Sequence, residues 1–168
     1  MIFETERLTF RLFEPSDIEA MFSFWGDPDV MTYCGGAANP TAERFERTGK
    51  LYNQLYQDKG YTVFAVVLKE SDVVIGAAGF NPTDEDTEIE LIYHFAKAYW
   101  GNGYATEAAG ACMEFAKKLN CIKLVTASID PNHMASRHVL EKIGFEYKGM
   151  KWFEDTGQEE PYFEFLLG

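Results

Sequence analysis

Alternation of hydrophobic and polar residues predicts a half-buried strand near the start of the chain. Across residues 7–13, every second side chain from Leu8 onward is Leu or Phe, and successive side chains of a strand point to opposite faces. The next segment, Ser16-Asp17-Ile18-Glu19, has the form of a capping box. It predicts that a helix begins there and runs to about Trp25.

The same reasoning predicts the remaining elements in chain order. First comes a helix capped by Asn39-Pro40, which runs to about Gln57 and ends at Gly60, and then strands at 61–69 and 73–80 joined by a hairpin at Glu70-Ser71-Asp72. A strand at 87–95, a helix to about 119 and a strand at 123–129 follow. The last elements are a helix at about 132–143 with Gly144 as its C-cap, and strands at 145–153 and 161–167 around a turn at Thr156-Gly157. This order is not a regular βαβ alternation, so we expect an α+β fold with a mixed sheet, in a single domain over residues 1–168.

A glycine-bearing turn joins the strand at 87–95 to the helix that follows it. Its sequence is Tyr99-Trp100-Gly101-Asn102-Gly103-Tyr104-Ala105-Thr106-Glu107-Ala108. The first N–H groups of a helix have no partner within it and lie at the positive end of its dipole, so they can bind an anion. Glycine permits the sharp turn and a close approach of the ligand. The segment therefore predicts a phosphate site, with an ordinary glycine turn that caps a structural helix as the alternative.

The better-known phosphate motifs do not fit this turn. The dinucleotide-binding fingerprint requires a third glycine at the position of Thr106, and the Walker loop requires a Gly-Lys-Ser/Thr sequence that is absent. The six residues from Trp100 to Ala105 instead resemble the pyrophosphate loop of the GNAT superfamily of N-acetyltransferases, Arg/Gln-x-x-Gly-x-Gly/Ala. The whole segment is similar to the RimJ/RimL branch, in which Trp commonly replaces the leading Arg/Gln.

Two further segments are similar to the same branch. The chain opens with Thr5-Glu6-Arg7-Leu8, followed by Arg11 and Asp17, which matches the branch's Thr-Glu-Arg-Leu opening with its later Arg and Asp. The segment Asn132-His133-Met134-Ala135-Ser136-Arg137-His138-Val139-Leu140-Glu141-Lys142-Ile143-Gly144-Phe145 resembles the branch's Asn-x-Ala-Ser…Val-Leu-Glu-Lys-x-Gly-Phe helix. Because the three matches occur in the family's order, the chain is identified as a member of this branch.

The resemblance implies a fold and an activity. The implied fold is a central, mostly antiparallel twisted sheet flanked by helices, in which the strand before the loop and the strand after its helix splay apart and admit acetyl-CoA. The implied reaction is transfer of acetyl from acetyl-CoA to a primary amine, of a protein N-terminus or of a small molecule, by direct attack in a ternary complex. A non-catalytic CoA-binding module of the same fold and a nucleotide-binding domain of another class are the alternatives.

The resemblance also implies which residues hold the cofactor. Backbone N–H groups of the loop would bind the pyrophosphate, the end of the preceding strand would run beside pantetheine, and Ser136 would contact the cofactor near its sulfur and donate a proton. The implied cofactor-binding residues are Tyr93, His94, Phe95, Trp100, Gly101, Asn102, Gly103, Tyr104, Ala105, Thr106, Asn132, His133 and Ser136. The branch's Asn lies three residues before its Ser, where this chain has His133. Either Asn132 reaches the pantetheine amides through a local insertion, or His133 replaces it.

The acceptor amine must be neutral to attack. Deprotonating a lysine-like amine at pH 7 costs about 4–5 kcal/mol, whereas an α-amine costs about 1 kcal/mol. We therefore look for a base on the strand before the loop, where Glu90 is the first choice and Glu88 the second. His94 shares their face, and an ordinary histidine pKa suits proton transfer. Glu90, Ser136 and His94 are the candidate catalytic residues; solvent-facing strand side chains are the alternative for the two on the strand.

Composition narrows the function classes. The net charge of −12 disfavours nucleic-acid binding, because proteins with that role are usually basic. It does not exclude a phosphate ligand, since in water two unit charges about 15 Å apart interact by only ~0.3 kcal/mol. The acidity favours a cationic acceptor such as an amine, or serves solubility alone.

We expect a cytoplasmic protein with no membrane partner, because no apolar run approaches the roughly 20 residues of a membrane span and no signal peptide is visible. Cys34, Cys112 and Cys121 have no metal-type spacing, and the histidines lack a third ligand, so no metal site is predicted. Family habit makes Tyr33 and Cys34 candidates for the lining of the acceptor pocket. The same habit makes a homodimer a hypothesis.

Overall fold

The protein is described here by a computed structural model, which covers residues 1–32 and 40–167. The strands are β1 (Phe3–Glu4), β2 (Leu8–Arg11), β3 (Val63–Leu68), β4 (Val73–Pro82), β5 (Glu88–Phe95), β6 (Leu124–Ser128), β7 (Glu146–Phe153) and β8 (Gln158–Leu166). The α-helices are α1 (Ile18–Phe24), α2 (Pro28–Met31), α3 (Ala42–Lys59), α4 (Tyr104–Ala116) and α5 (Met134–Lys142). Short 3₁₀ turns cover Pro15–Asp17 and Lys97–Tyr99.

The eight strands form one mixed sheet in the order β1-β2-β3-β4-β5-β6-β8-β7. Neighbouring strands are antiparallel except for β5 and β6, which are parallel. The parallel pair is in register only from Glu88 opposite Leu124 to Glu90 opposite Thr126. Beyond that point β5 continues to Phe95 without pairing to β6, so the two strands part. The expected mostly antiparallel sheet with a splayed parallel pair is confirmed.

Helices cover both faces of the sheet because its central strands are apolar on both sides. Residues of β3 alternate between two hydrophobic clusters: Phe64 and Val66 belong to one, Val63 and Ala65 to the other. Buried residues of α4 and α5 pack in the first cluster, whereas those of α1, α2 and α3 pack in the second. Along α4 the buried positions are small, and burial raises the pKa of the Cys112 thiol. Cys112 packs there as a small, fully buried core residue.

The predicted N-cap of the first helix is wrong. The chain enters α1 through the 3₁₀ turn at Pro15–Asp17, and the carboxylate of Asp17 accepts the backbone N–H of Glu14 at 2.7 Å. Arg11 also donates to both oxygens of Asp17, at 2.7 and 3.0 Å. Because Asp17 pairs with Arg11 and accepts the N–H of Glu14, the capping box runs from Glu14 to Asp17 and begins two residues before Ser16.

Two other helix starts differ from expectation. Thr41 caps α3, since its hydroxyl accepts the N–H of Arg44 at 3.1 Å, and the expected cap Asn39 lies outside the described residues. The helix ends, as predicted, at Gly60, which has a left-handed φ of 80°. The short helix α2 was not predicted from the sequence; Asp27 caps it by accepting the N–H of Asp29 at 2.9 Å.

Candidate functional site

A cavity of about 1040 Å³ occupies the gap between β5 and β6. Both diverging strands line it, together with the loop before α4 and the first turn of α5. The helices α2 and α3 also line it, through residues such as Val30 and Phe45. The splay of the parallel pair therefore creates the space, and the segments singled out from the sequence surround it.

One end of the cavity is the glycine loop. Gly101 and Gly103 both have left-handed φ values, 80° and 79°, which favour glycine strongly over other residues. The helix α4 begins at Tyr104, and no side chain caps it. Its first N–H groups therefore keep their capacity to bind an anion at the positive end of the helix. All but one of the predicted loop residues line the cavity, namely Trp100, Gly101, Gly103, Tyr104, Ala105 and Thr106.

Asn102 has a different position from the other loop residues. It does not line the cavity; its side-chain amide donates to the backbone oxygens of Tyr99 and Trp100, at 3.1 and 3.2 Å. The indole N–H of Trp100 in turn donates to the carbonyl of Phe95 at 2.9 Å. These bonds stabilise the turn, so the contacts of the Asn102 side chain are structural ones within the loop.

The side chains of Tyr93 and Ser136 contact each other in the wall of the cavity. The hydroxyl oxygens of Tyr93 and Ser136 lie 2.7 Å apart, and both residues line the cavity. Ser136 stands in the first turn of α5 and is 6% exposed. Burial raises the pKa of Tyr93 to about 12, and its hydrogen bond with Ser136 offsets this only in part. The phenol therefore keeps its proton at neutral pH.

His94 is a half-buried strand residue whose pKa differs from that of an ordinary histidine. The indole N–H of Trp25 donates to its Nδ1 atom at 3.3 Å, and the ring borders the cavity. Burial lowers the pKa of His94 to about 4, with a smaller contribution from His133. His94 is therefore neutral at pH 7, and the expected midrange pKa is wrong. The contact between His94 and Trp25, which directly follows α1, could not be predicted from the local sequence because the two residues are far apart in the chain.

Of the two candidates for the pantetheine contact, His133 lies further inside. It is half-buried and close enough to His94 to influence its pKa, whereas Asn132 is exposed at the edge of the cavity. Both backbone N–H groups are fixed by Asp130: that of His133 donates to its carbonyl at 2.9 Å, and that of Asn132 to its carboxylate at 2.8 Å. Burial lowers the pKa of His133, and Asp130 opposes this.

Glu90 does not line the cavity, although Leu91, the next residue of β5, does. Burial raises the pKa of its carboxyl, and the nearby carboxylates of Asp155, Glu160 and Glu88 raise it further, while Lys151 lowers it. Asp155 does line the cavity. The carboxylates of Glu88, Glu90, Asp155 and Glu160 therefore form an acidic rim that reaches the cavity at Asp155, and Glu90 holds its proton more strongly than an exposed glutamate.

Several lining residues were missed from the sequence. Tyr52, Asn81 and Asp155 line the cavity from α3, β4 and the β7–β8 turn. No motif surrounds them, and only the fold brings them together. Tyr33 and Cys34, the candidates for the acceptor pocket, lie outside the described residues.

Among residues 1–32 and 40–167, no group of three or more His, Cys, Asp or Glu side chains is arranged to hold a metal ion. Within the same ranges, no helix is both long and apolar enough to cross a membrane.

Comparison with known proteins assigns the family. A model of the family described as "Acetyltransferase (GNAT) domain" matches residues 7–146, most of the chain. The chain belongs to the GNAT acetyltransferase family. The uncharacterized protein YkkB of Bacillus subtilis (strain 168) is 36% identical over 148 residues, which cover 85% of this chain and 84% of YkkB.

Solved structures share the GNAT fold. Ribosomal-protein-S5-alanine acetyltransferase from Vibrio fischeri superposes with a TM-score of 0.83 at 18% identity, over 98% of this chain and 95% of that one. Spermidine N-acetyltransferase from Vibrio cholerae, solved with CoA and spermine, gives a TM-score of 0.80 at 17% identity, over 97% of each chain. At these identities the likeness shows the fold alone. Family membership makes the protein an N-acetyltransferase that uses acetyl-CoA as cosubstrate, and the expected family is confirmed.

Proposed function

We propose that this GNAT enzyme transfers acetyl to a primary amine by direct attack of the amine within a ternary complex. One observation carries the proposal: a single cavity joins the uncapped N-terminus of α4 to the acidic rim near Asp155 and Glu90. A volume of about 1040 Å³ lies at the upper end of ordinary ligand pockets, so it has room for the cofactor arm and an acceptor together.

The phosphate end is the best supported part of the proposal. Backbone N–H groups from Gly101 to Thr106 would bind the pyrophosphate, because no side chain competes for the start of α4. Past Glu90, β5 and β6 diverge. Pantetheine lying in that gap beside Tyr93, His94 and Phe95, which line the cavity, would place the thioester near Ser136.

Ser136 would then donate its proton to the departing sulfur. Tyr93 remains protonated, so its O–H can donate to the serine oxygen and leave the serine proton free for the sulfur. At the inner edge of the cavity, His133 would take the pantetheine contact that Asn makes in the RimJ/RimL branch. Its half-buried position beside His94 supports this choice over Asn132.

Glu90 would act as the base toward the incoming amine, directly or through water. Its position at the acidic rim also supports a cationic acceptor, because the neighbouring carboxylates favour positive charge there. The relatives with this fold include enzymes named for a ribosomal-protein alanine and for spermidine. Both acceptor classes, a protein N-terminus and a polyamine, are therefore proposed for testing.

We expect Glu90→Gln to lower kcat/KM by about a hundredfold or more, since a positioned base contributes roughly 10²- to 10⁴-fold. In the native enzyme the rate rises as Glu90 loses its proton, through a pKa above the ordinary glutamate value. The variant should lose that limb of the pH–rate profile. Glu114→Gln, on the exposed face of α4 and paired with Lys117, is the control. An unchanged profile in Glu90→Gln would remove Glu90 from the role.

The free energy of unfolding of Glu90→Gln gives an independent test of the raised pKa of Glu90. A raised carboxyl pKa means that the folded state binds the proton more tightly than the unfolded state. Stability is therefore lost as pH rises from the unfolded to the folded pKa. Glu90→Gln removes this loss, so its free energy of unfolding should exceed that of the native protein at pH 8 and match it near pH 4.

A screen of amines by thiol release tests the function itself. The panel would hold Ala- and Ser-initiated peptides, spermidine, and free amino acids, each with saturating acetyl-CoA. Release of thiol that depends on one of these amines is the expected result. Binding of acetyl-CoA without thiol release for any amine would instead indicate a non-catalytic module.

A further inference from the structure

The N-terminal segment holds the glycine loop through one arginine. Arg7, just before β2, donates from Nε to the Glu107 carboxylate at 2.7 Å and from Nη1 to the carbonyl of Asn102 at 2.9 Å. Its guanidinium also lies over the ring of Tyr104, 4.4 Å from the ring centre. One side chain thus contacts the loop, the first helical residue and the first turn of α4.

The bond to Asn102 fixes a peptide group of the loop. A trans peptide is planar, and its C=O and N–H point in opposite directions; no described peptide bond is cis. With the Asn102 carbonyl held toward Arg7, the N–H of Gly103 must point away from Arg7. Gly103 lines the cavity and Asn102 does not. The contact therefore selects the orientation in which this N–H is available to a ligand.

Arg7 also controls the charge at the start of α4. Glu107 accepts from the Thr5 hydroxyl at 2.6 Å and from the backbone N–H of Arg7 at 3.1 Å, besides the guanidinium. Burial raises the pKa of Glu107, but these bonds outweigh it and lower the pKa overall. The carboxylate is thus ionised beside a phosphate site, and Arg7 balances a charge that would repel an anion.

The third nitrogen of the Arg7 guanidinium, Nη2, is a donor that has no acceptor among the described residues. Nη2 lies 3.6 Å from where a β-carbon on Gly103 would stand. The positive charge of Arg7 therefore sits directly against the residue whose amide it orients.

We propose that Arg7 is a positioning residue for the diphosphate of the cosubstrate. It orients the Gly103 N–H toward the cavity and offsets the charge of Glu107. This inference rests on the proposed phosphate site, and it gives a function to the Thr-Glu-Arg-Leu opening of the chain, which does not line the cavity.

The test compares cosubstrates with and without a diphosphate. In Arg7→Met, the Kd of CoA measured by calorimetry and the KM of acetyl-CoA should rise about tenfold or more, as expected for the loss of a charge-assisted hydrogen bond. The kcat/KM of S-acetylpantetheine, which lacks the diphosphate, should stay within about twofold of the native value because no loop amide binds it. A purely structural role would weaken both cosubstrates alike, and that result would overturn the proposal.

Two further variants separate position from charge and from folding. Arg7→Lys keeps the charge but not the planar fork that bonds two acceptors, so most of the selective loss should persist even where Arg7→Met folds poorly. Arg47→Met removes the same charge from the exposed face of α3 and should leave both cosubstrates unaffected. Full retention of CoA affinity in Arg7→Lys and Arg7→Met would contradict the inference. Calorimetric binding needs no turnover, so failure of the amine screen would leave this result interpretable.

Discussion

Replacing Gly103 with valine is expected to raise the Kd of acetyl-CoA more than about a hundredfold. Gly103 has a φ of 79°, where a residue with a β-carbon is strained by roughly 1–2 kcal/mol. Valine, branched at that carbon, is expected to be strained still more. Its first carbon would point toward Arg7, 3.6 Å from Nη2, rather than into the path of the phosphate. The expected cause is therefore a rearranged loop, not direct obstruction.

The magnitude follows from the bonds that a rearranged loop would lose. Hydrogen bonds to a charged group contribute about 1.5–3 kcal/mol each, so the loss of two corresponds to about a hundredfold or more in Kd. Calorimetric titration with acetyl-CoA would measure it, with thermal unfolding as the check that the variant is folded.

Gly60→Val is the matched control for backbone strain. Gly60 has nearly the same φ, 80°, and a β-carbon there would meet nothing within 4 Å. It ends α3, outside the lining of the cavity. This variant should lose at least about 1–2 kcal/mol of stability and keep its affinity for acetyl-CoA. Normal affinity in a folded Gly103→Val protein would refute the assigned role of the loop.

Replacing Ser136 with alanine is expected to lower kcat by about a hundredfold to a thousandfold with little change in the KM of acetyl-CoA, because a positioned proton donor acts in the transition state. Tyr93→Phe should cause a loss of similar size, since its hydroxyl lies 2.7 Å from that of Ser136. The double variant should be no worse than Ser136→Ala, because Tyr93 acts through the serine.

Varying the thiol that leaves the thioester tests whether Ser136 donates a proton to the departing sulfur. An acetyl thioester of a more acidic thiol needs less help from a proton donor, so both variants should recover part of the lost rate with it. The pKa of Tyr93, about 12, also predicts that the loss does not change between pH 6 and 9. Ser23→Ala, at an exposed position of α1, is the control. Additive losses in the double variant, or equal losses with both thioesters, would contradict the proton-donor role.

The local sequence was sufficient to predict the glycine turn before α4 and most strands of the sheet. The residues from Trp100 to Ala105 carry their own backbone requirements, since glycines with φ near 80° and a helix start are specified within a few positions. Strands such as β3 and β4 were visible because apolar and β-branched residues follow one another between turn residues. These features depend on neighbours in the chain, so a pattern can show them.

The features that the sequence did not show depend on residues brought from far along the chain. The low pKa of His94 needs the enclosure that Trp25 contributes and the nearby His133. The acidic rim needs Asp155 from the β7–β8 turn beside Glu90. The cap at Asp17 was missed for a related reason, because its partner Arg11 belongs to the preceding strand.

A crystal structure of the protein with CoA tests the central claim most directly. The diphosphate is expected within hydrogen-bonding distance of main-chain N–H groups between Gly101 and Thr106. The pantetheine arm is expected in the gap between β5 and β6, with the sulfur next to Ser136. CoA bound elsewhere with this loop unoccupied, or no binding at millimolar CoA, would contradict it.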